Sequence, residues 1–534
     1  MDTKALRQKI LDLAIRGKLV PQDPNDEPAE MLLERIREQK QQMFKEGKLK
    51  KKDIKNDTII FKGEDNLHYE KFQDGTVKCI EDEIPFELPK GWAWCRLRDL
   101  LNVCSSKRVL QSDWKNDGIP FYRAREIVKL SENDFVENDL FISEEHYLEL
   151  QKKYGIPQSG DLMVSGVGTI GKVYIVKPED QFYYKDASVL CFENRNNILV
   201  SKFAKMLLES SYVQSQMREN SKGTTVDTIT ISAAMNYLCI VPPQNEQMRI
   251  IDTVQQAIVK VNEIQFNKDS LQSTITLLKA KILNLAIRGK LVPQDPNDEP
   301  ASVLLERIRA EKEELIKQGK IKRDKKESVI FKGDDNSYYL RTESETIEIT
   351  NELPYEIPDS WDWARMGDVL QVNPRNKLED SLEVSFIPMS LIDDGFSGKH
   401  TSEICVWKKV KSGFTHFMED DIGIAKITPC FENRKSVVFR KLKNGYGAGT
   451  TELHILRPYA STILPEYVLA YVKSPMFIDK GKQEFTGAVG QQRIGKDYVE
   501  NSYFPIPPLA EQTRIVEQIS TAYHQLYVIS YALL

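Results

Sequence analysis

Downstream of Pro243, apolar side chains recur in alternating steps of four and three residues. They are Ile250, Val254, Ala257, Val261 and Ile264, then Leu271, Ile275, Leu278, Ile282 and Leu285, with Lys268 breaking the series. Such spacing keeps one stripe of a helix apolar and predicts a coiled-coil helix ~54 Å long at ~1.5 Å per residue. Gly289 marks its expected end. The segment "KLVPQDPNDEP", with three prolines, reads as a rigid connector, and Pro300 is placed in the first turn of a second helix.

A seam of Leu and Ile of that length needs a partner. The chain holds a second copy of it in two pieces. Ile515, Ile519, Ala522, Leu526, Ile529 and Leu533 match the stretch from Ile250 to Lys268, while Leu6, Ile10 and Leu13 match Leu278, Ile282 and Leu285. Joining the two ends would restore a second long helix. The expectation is an antiparallel two-helix coiled coil with circular pseudo-two-fold symmetry. The alternative, a tandem duplication with its halves side by side, leaves the circular register unexplained.

The duplication extends past the seam. "LAIRGKLVPQDPNDEP" occurs letter for letter at Leu13–Pro28 and Leu285–Pro300, and "LLERIREQK" from Leu32 matches "LLERIRAEK" from Leu304. "FKGEDNLHY" from Phe61 aligns with "FKGDDNSYY" from Phe331, and "PFELPKGWAW" from Pro85 with "PYEIPDSWDW" from Pro354. "VPPQNEQMRI" at Val241–Ile250 echoes "IPPLAEQTRI" at Ile506–Ile515. The halves share their edges and differ in their middles. The expected domains are therefore a helical region at 1–60, a globule at 90–241, a central helical region at 242–330, a second globule at 355–506 and a closing helix at 507–534. Short β-like runs separated by turns, followed by short helical patterns, predict a mixed α/β or α+β fold for both globules, with β-rich cores.

Composition narrows the class. A chain of 534 residues with 41% hydrophobic and 29% charged residues describes a globular protein of several domains. No apolar run reaches the ~18 residues that span a bilayer, and the charged amphipathic start "MDTKALRQKILDLAIRG" is not expected to be a signal peptide. Seven cysteines without a CxxC pair suit a reducing cytoplasm. A net charge of −5 means that any nucleic-acid surface must be a local patch.

Catalytic signatures are missing. The six histidines are dispersed, and no cluster has metal-ligand spacing. There is no G-x-S-x-G elbow and no NPPY-type motif; "VNPR" at Val372–Arg375 shares only the first two letters of the latter. "GVGTIGKV" at Gly166–Val173 fits the first part of a phosphate-binding loop. However, Val173 stands where a magnesium-holding Ser or Thr belongs, and "VYIVKPED" follows where a helix should begin. A β-turn is expected there instead. A chain so organised, without catalytic residues or a metal site, reads as a recognition or scaffold component.

Polar and basic clusters fall in predicted loops of both globules. In the first they are Lys107 and Arg108, Arg123 and Arg125, Lys172, and Lys222 with Thr224 and Thr225. In the second they are Arg375, Asn376 and Lys377, Lys426, Arg434 and Lys435, and Gln491, Gln492 and Arg493. Gln can pair with adenine edges and Arg with guanine, while Lys and Thr suit phosphates, so these are the candidate DNA contacts. Each cluster taken alone is more often plain solvated surface. The runs at Lys48–Lys55 and Lys320–Lys326 read as solvated helix ends or mild phosphate contacts.

The repeated "LAIRGKLVPQDPNDEPA", the paired "PFELPKGWAW" and "PYEIPDSWDW", and the paired "PPQNEQMRI" and "PPLAEQTRI" resemble the specificity subunits of type I DNA restriction–modification systems. "KITPCFENRK" and "GTTELHILRP" resemble that family's target-recognition domains, and the likeness covers essentially the whole chain. It implies two domains that each read half of a split sequence in double-stranded DNA. It also implies helices that act as a ruler and dock two methyltransferase subunits, together with restriction or motor subunits. No cofactor or metal is then expected in this chain: S-adenosylmethionine, ATP and Mg belong to the partners. A ~54 Å rod corresponds to roughly 16 base pairs at ~3.4 Å each, the scale of two short half-sites with an unread spacer. The competing readings are a protein-assembly scaffold and an autonomous nucleotide hydrolase working through Gly166–Lys172.

Overall fold

The structure, a computed structural model, describes all residues except 1, 48–53, 195–198, 222–226, 324–326, 460–461, 489 and 534. The chain divides into two compact units, Met1–Asn267 and Lys268–Leu534. The division falls inside one uninterrupted helix, Gln244–Ile287. That helix stops just before Gly289, which takes a left-handed φ of +64°. Pro300 does not sit in the first turn of the next helix, as expected from the sequence. It is the residue before Ala301–Lys317, with an extended ψ of 152°, so its fixed ring turns the chain into the helix from outside.

In the first unit, helix Thr3–Ile15 is capped by the Asp2 side chain, which accepts from the Lys4 and Ala5 amides. It runs antiparallel to the first stretch of the long helix. Thr3 Oγ1 donates to Gln265 Oε1 at 2.5 Å, and Arg7 to Asn262 Oδ1 at 2.6 Å. In the second unit, helix Leu509–Ala532 lies antiparallel to the remaining stretch. Tyr523 Oη donates to the Lys279 carbonyl and Ser530 Oγ to Gln272 Oε1, both at 3.1 Å. Each unit thus holds a helix pair made from one part of the long helix and one chain end.

The apolar seam needs correcting in its middle. Ile250, Val254, Val261 and Ile275 are buried, but Ile264, Leu271, Leu278 and Ile529 are 40%, 38%, 45% and 46% exposed. Leu6, Ile10, Leu13, Ile282, Leu285, Ile519 and Leu526 are half-buried, and Ile515 is fully buried. A pair of helices covers only part of each side chain on its seam, whereas the ends of the seam also pack on a globule. Ile250, Ile251 and Val254 join a core with Ala14, Ile15, Leu32, Leu97 and Phe203. Towards its end the helix rotates a different face inward, so that Ala286 and Ile287 join Leu304, Ile308, Tyr467 and Ile515.

Each globule contains two four-stranded sheets. In the first unit one sheet has the order Val173–Ile175, Leu162–Ser165, Val189–Glu193, Asn102–Cys104, all antiparallel. The other places Tyr183–Tyr184 parallel to Ile119–Tyr122, with two short strands beyond. The second unit repeats the scheme. Leu370–Val372, Leu453–Pro458, Ile422–Ala425 and Ser436–Val438 form one sheet, and the other pairs Glu383–Ile387 in parallel with Tyr446–Gly449. A ribbon closes the root of each globule, joining the strand that leads into it to the strand that leaves. These are Ala93–Arg96 with Leu238–Val241, and Asp362–Arg365 with Tyr503–Ile506.

The duplicated edges meet at these roots. In the first unit, Glu246 accepts from Trp92 Nε1 at 2.9 Å and from Gln22 Nε2 at 3.1 Å, while Arg249 pairs with Asp26 at 2.6 Å. In the second, Glu511 accepts from Trp361 Nε1 at 2.9 Å and Gln294 Nε2 at 2.6 Å, and Arg514 pairs with Asp298 at 2.5 Å. The repeated connector is therefore an intramolecular clamp, built twice from the same letters. Gly17 and Gly289 belong to it: a Cβ there would stand 2.2 Å from Pro89 Cγ and 2.4 Å from Pro358 Cγ.

Candidate nucleic-acid interface

In the second unit, antiparallel pairing brings three loops to one end of the first-named sheet. Strand Leu370–Val372 leaves into Asn373–Lys377, strand Ile422–Ala425 leaves into the loop beginning at Lys426, and Thr450–Glu452 leads into Leu453–Pro458. A fourth segment joins them, because Ile427 and Thr486 both bridge to Arg493. The structure thereby gathers Arg375, Asn376, Lys377, Lys426, Gln491, Gln492 and Arg493, which the sequence scatters over more than a hundred positions.

Their roles differ. Asn376 is spent on the fold, donating to the Phe417 carbonyl at 3.0 Å and accepting from Arg457 at 3.2 Å. Arg493 forks onto Glu452 with two 2.9 Å bonds, which hold the Glu452 carboxyl below its usual range. Arg375 is exposed, and its Nη1 donates to the Phe414 carbonyl at 2.8 Å and lies 3.4 Å from His416 Nε2. The side chains of Lys377, Lys426, Gln491 and Gln492 have no hydrogen-bond partner among the described residues. Arg375 and Lys426 line a cavity of about 300 Å³ together with Thr415, His416 and Thr451. His416 is depressed by burial and then by Arg375, and His454 by burial, so neither imidazole is charged at neutral pH. The positive charge of this cavity therefore comes from Arg375 and Lys426. Exposed donors around a polar hollow suit phosphate oxygens and base edges.

Two candidates of this unit point elsewhere. Arg434 Nε donates to the Lys473 carbonyl at 3.1 Å, and its guanidinium lies over the Phe396 ring at 5.1 Å. Lys435 Nζ is capped by the carbonyls of Met389 and Ile392 at 3.2 and 2.9 Å. Both brace the loop that carries them. Lys473 does likewise: its buried amine donates to the carbonyls of Gly395 and Arg434, and burial pulls it down to about 7.

The first unit presents fewer open cations. Arg123 pairs with Glu126 and Asp139 at 3.0 and 2.6 Å, and Arg125 with the same two carboxylates. Lys172 pairs with Glu132 at 2.9 Å. Lys107 and Arg108 are exposed; the Lys107 amine lies over the Tyr154 ring at 5.6 Å, and Arg108 has no partner among the described residues. Lys222, Thr224 and Thr225 lie outside the described residues, as do parts of the two basic runs, 48–53 and 324–326. Gly166–Lys172 forms the turn between strands Leu162–Ser165 and Val173–Ile175. The Ser165 hydroxyl donates to the Thr169 carbonyl and accepts from the Lys172 amide. The segment is thus a β-turn followed by a strand, with no helix N-terminus to cradle a phosphate.

Nothing local in the sequence signals Thr451 and His416 as parts of this hollow. The clamp residues are visible there only as letters common to both halves. Among the described residues no group of His, Cys, Asp and Glu could hold a metal ion, and no helix is long and apolar enough to cross a membrane.

Residues 89–272 match the family model described as the type I restriction modification DNA specificity domain. Over that segment the chain is similar to type I restriction enzyme specificity subunits. It is 49% identical over 243 residues to the type I restriction enzyme EcoAI specificity subunit of Escherichia coli, an alignment covering 45% of this chain and 38% of the relative. It is 47% identical over 247 residues to the EcoEI specificity subunit of the same organism, covering 46% and 39%. The matched segments thus span well under half of these relatives' lengths. A solved structure described as the structural basis of complex assembly and conformational transition of the type I R-M system covers 84% of this chain and 94% of its own. Its TM-score is 0.56 at 17% identity, a likeness of fold.

Proposed function

We propose that this chain is the DNA-recognition subunit of a type I restriction–modification assembly. The globule at 90–241 reads one half of a two-part target in double-stranded DNA, and the globule at 355–506 reads the other. The helical segments set the spacing and dock two methyltransferase subunits together with the restriction or motor subunits. Chemistry resides in those partners: adenine methylation with S-adenosylmethionine and cleavage driven by ATP and Mg. The assembly works in the cytoplasm.

One observation carries this reading. The same clamp is built twice from identical residues around two different globules, as expected if a fixed frame serves a common partner while the variable parts meet different bases. The test is selection from random duplex DNA with the methyltransferase partner present, at low and physiological salt, since phosphate contacts weaken with salt. Recovery of a two-part site supports the proposal. Recovery of no sequence favours a protein scaffold, and ATP hydrolysis by the purified chain that is abolished in Lys172→Ala favours an enzyme.

A further inference from the structure

Cys104 and Cys191 stand directly opposite each other on antiparallel strands Asn102–Cys104 and Val189–Glu193. Opposed residues on such strands have Cα atoms about 4.5–5.5 Å apart, inside the roughly 4.4–6.8 Å window of a disulfide. Both thiols are free. Cys104 is partly exposed and lies 3.9 Å from the Tyr184 hydroxyl. Cys191 is buried, with its sulfur 4.0 Å from Asp161 Oδ2. A second opposed pair, Cys95 and Cys239 in the root ribbon, is sealed in the core on both sides.

We propose that Cys104 and Cys191 form an oxidisable dithiol, which a peroxide converts to a cross-strand disulfide. The Cys104 sulfur attacks one oxygen of hydrogen peroxide and the O–O bond breaks, leaving a sulfenic acid on Cys104 and one water. The Cys191 sulfur then attacks the Cys104 sulfur. The S–O bond breaks, and the hydroxide leaves with the Cys191 proton as a second water. Two thiols and one peroxide thus give one disulfide and two waters. The order follows from the surroundings: oxidant reaches the partly exposed Cys104, whereas the neighbouring Cys104 thiol, burial and the Asp161 carboxylate keep Cys191 protonated.

The dithiol adjoins a candidate DNA loop. Cys104 leads directly into Ser105–Arg108, which is held by Ser106 Oγ donating to the Tyr184 carbonyl at 2.6 Å and the Lys107 amide donating to Tyr183 Oη at 3.0 Å. Drawing the strand end towards Cys191 shifts the loop that carries Lys107 and Arg108. This consequence rests on the DNA-recognition reading; the thiol chemistry does not.

The test treats the full chain with hydrogen peroxide at mildly alkaline pH, blocks remaining thiols, and maps peptides without reduction. The expected result is a dominant Cys104–Cys191 link, reversed by dithiothreitol and absent in both Cys104→Ser and Cys191→Ala, with each variant's native fold checked by circular dichroism. A dominant Cys95–Cys239 link, overoxidised Cys104 without a link, or free thiols in native protein under conditions that oxidise the unfolded chain would each overturn it. DNA selection with the oxidised protein is expected to lose discrimination at one half-site only. Unchanged discrimination with the disulfide in place overturns the assignment of the loop and leaves the dithiol standing.

Discussion

The indole of Trp92 donates to the buried carboxylate of Glu246 at 2.9 Å, and Trp361 makes the same bond to Glu511 at 2.9 Å. Each carboxylate also takes a glutamine from the repeated connector, so one side chain ties the helix start, the root of the globule and the connector together. Glu511→Ala strands the buried Trp361 donor and frees the exposed Gln294, and is expected to cost roughly 1–3 kcal/mol, the penalty for an orphaned buried donor. In calorimetry the transition of the second unit should fall while that of the first stays in place. Glu511→Gln, which keeps an acceptor, should cost less.

Gly289 tests the same clamp by shape. Its φ is +64°, and an added Cβ would lie 2.4 Å from Pro358 Cγ. Gly289→Ala should lower the unfolding temperature of the second unit more than Gly319→Ala, where φ is +68° and nothing lies within 4 Å of the added carbon. The backbone strain is shared by the two variants, so their difference isolates the collision.

Asp99 accepts from the amides of Thr58 and Arg96 at 3.2 and 3.0 Å, and burial, with the nearby Asp57 charge, pushes it up to about 6. The folded chain therefore binds a proton between pH ~4 and ~6 that the unfolded chain has released, and stability from this group falls as pH rises through that window. The span corresponds to about 3 kcal/mol at ~1.4 kcal/mol per pH unit. Melting temperatures across this range should fall more steeply with pH in the wild type than in Asp99→Asn.

The period of the long helix and its stop at Gly289 were legible in the sequence, because periodicity and turn residues are local signals. The cations were not. Arg434 and Lys435 look like phosphate ligands as letters, yet their donors go to the carbonyls of Lys473, Met389 and Ile392, far along the chain. Lys426 and Gln492 carry no such duty, and only the pairing of distant loops brings them together. The exposed Ile264 and Leu271 show the other limit: a heptad fixes which stripe is apolar, but not how much of it a neighbour covers.

The same distinction predicts two kinds of lysine. Lys426→Ala and Lys377→Ala should weaken DNA binding by the partnered complex and lower the slope of log affinity against log salt by ~0.9 for each phosphate that is no longer neutralised. Lys435→Ala should leave that slope unchanged and lower the melting temperature of the second unit instead.

The most direct measurement replaces residues 90–241 with the corresponding globule of another specificity chain and maps methylated adenines in DNA exposed to the complete assembly. One half of the target should change while the other half stays as it was. A change in both halves, or in neither, would contradict the account.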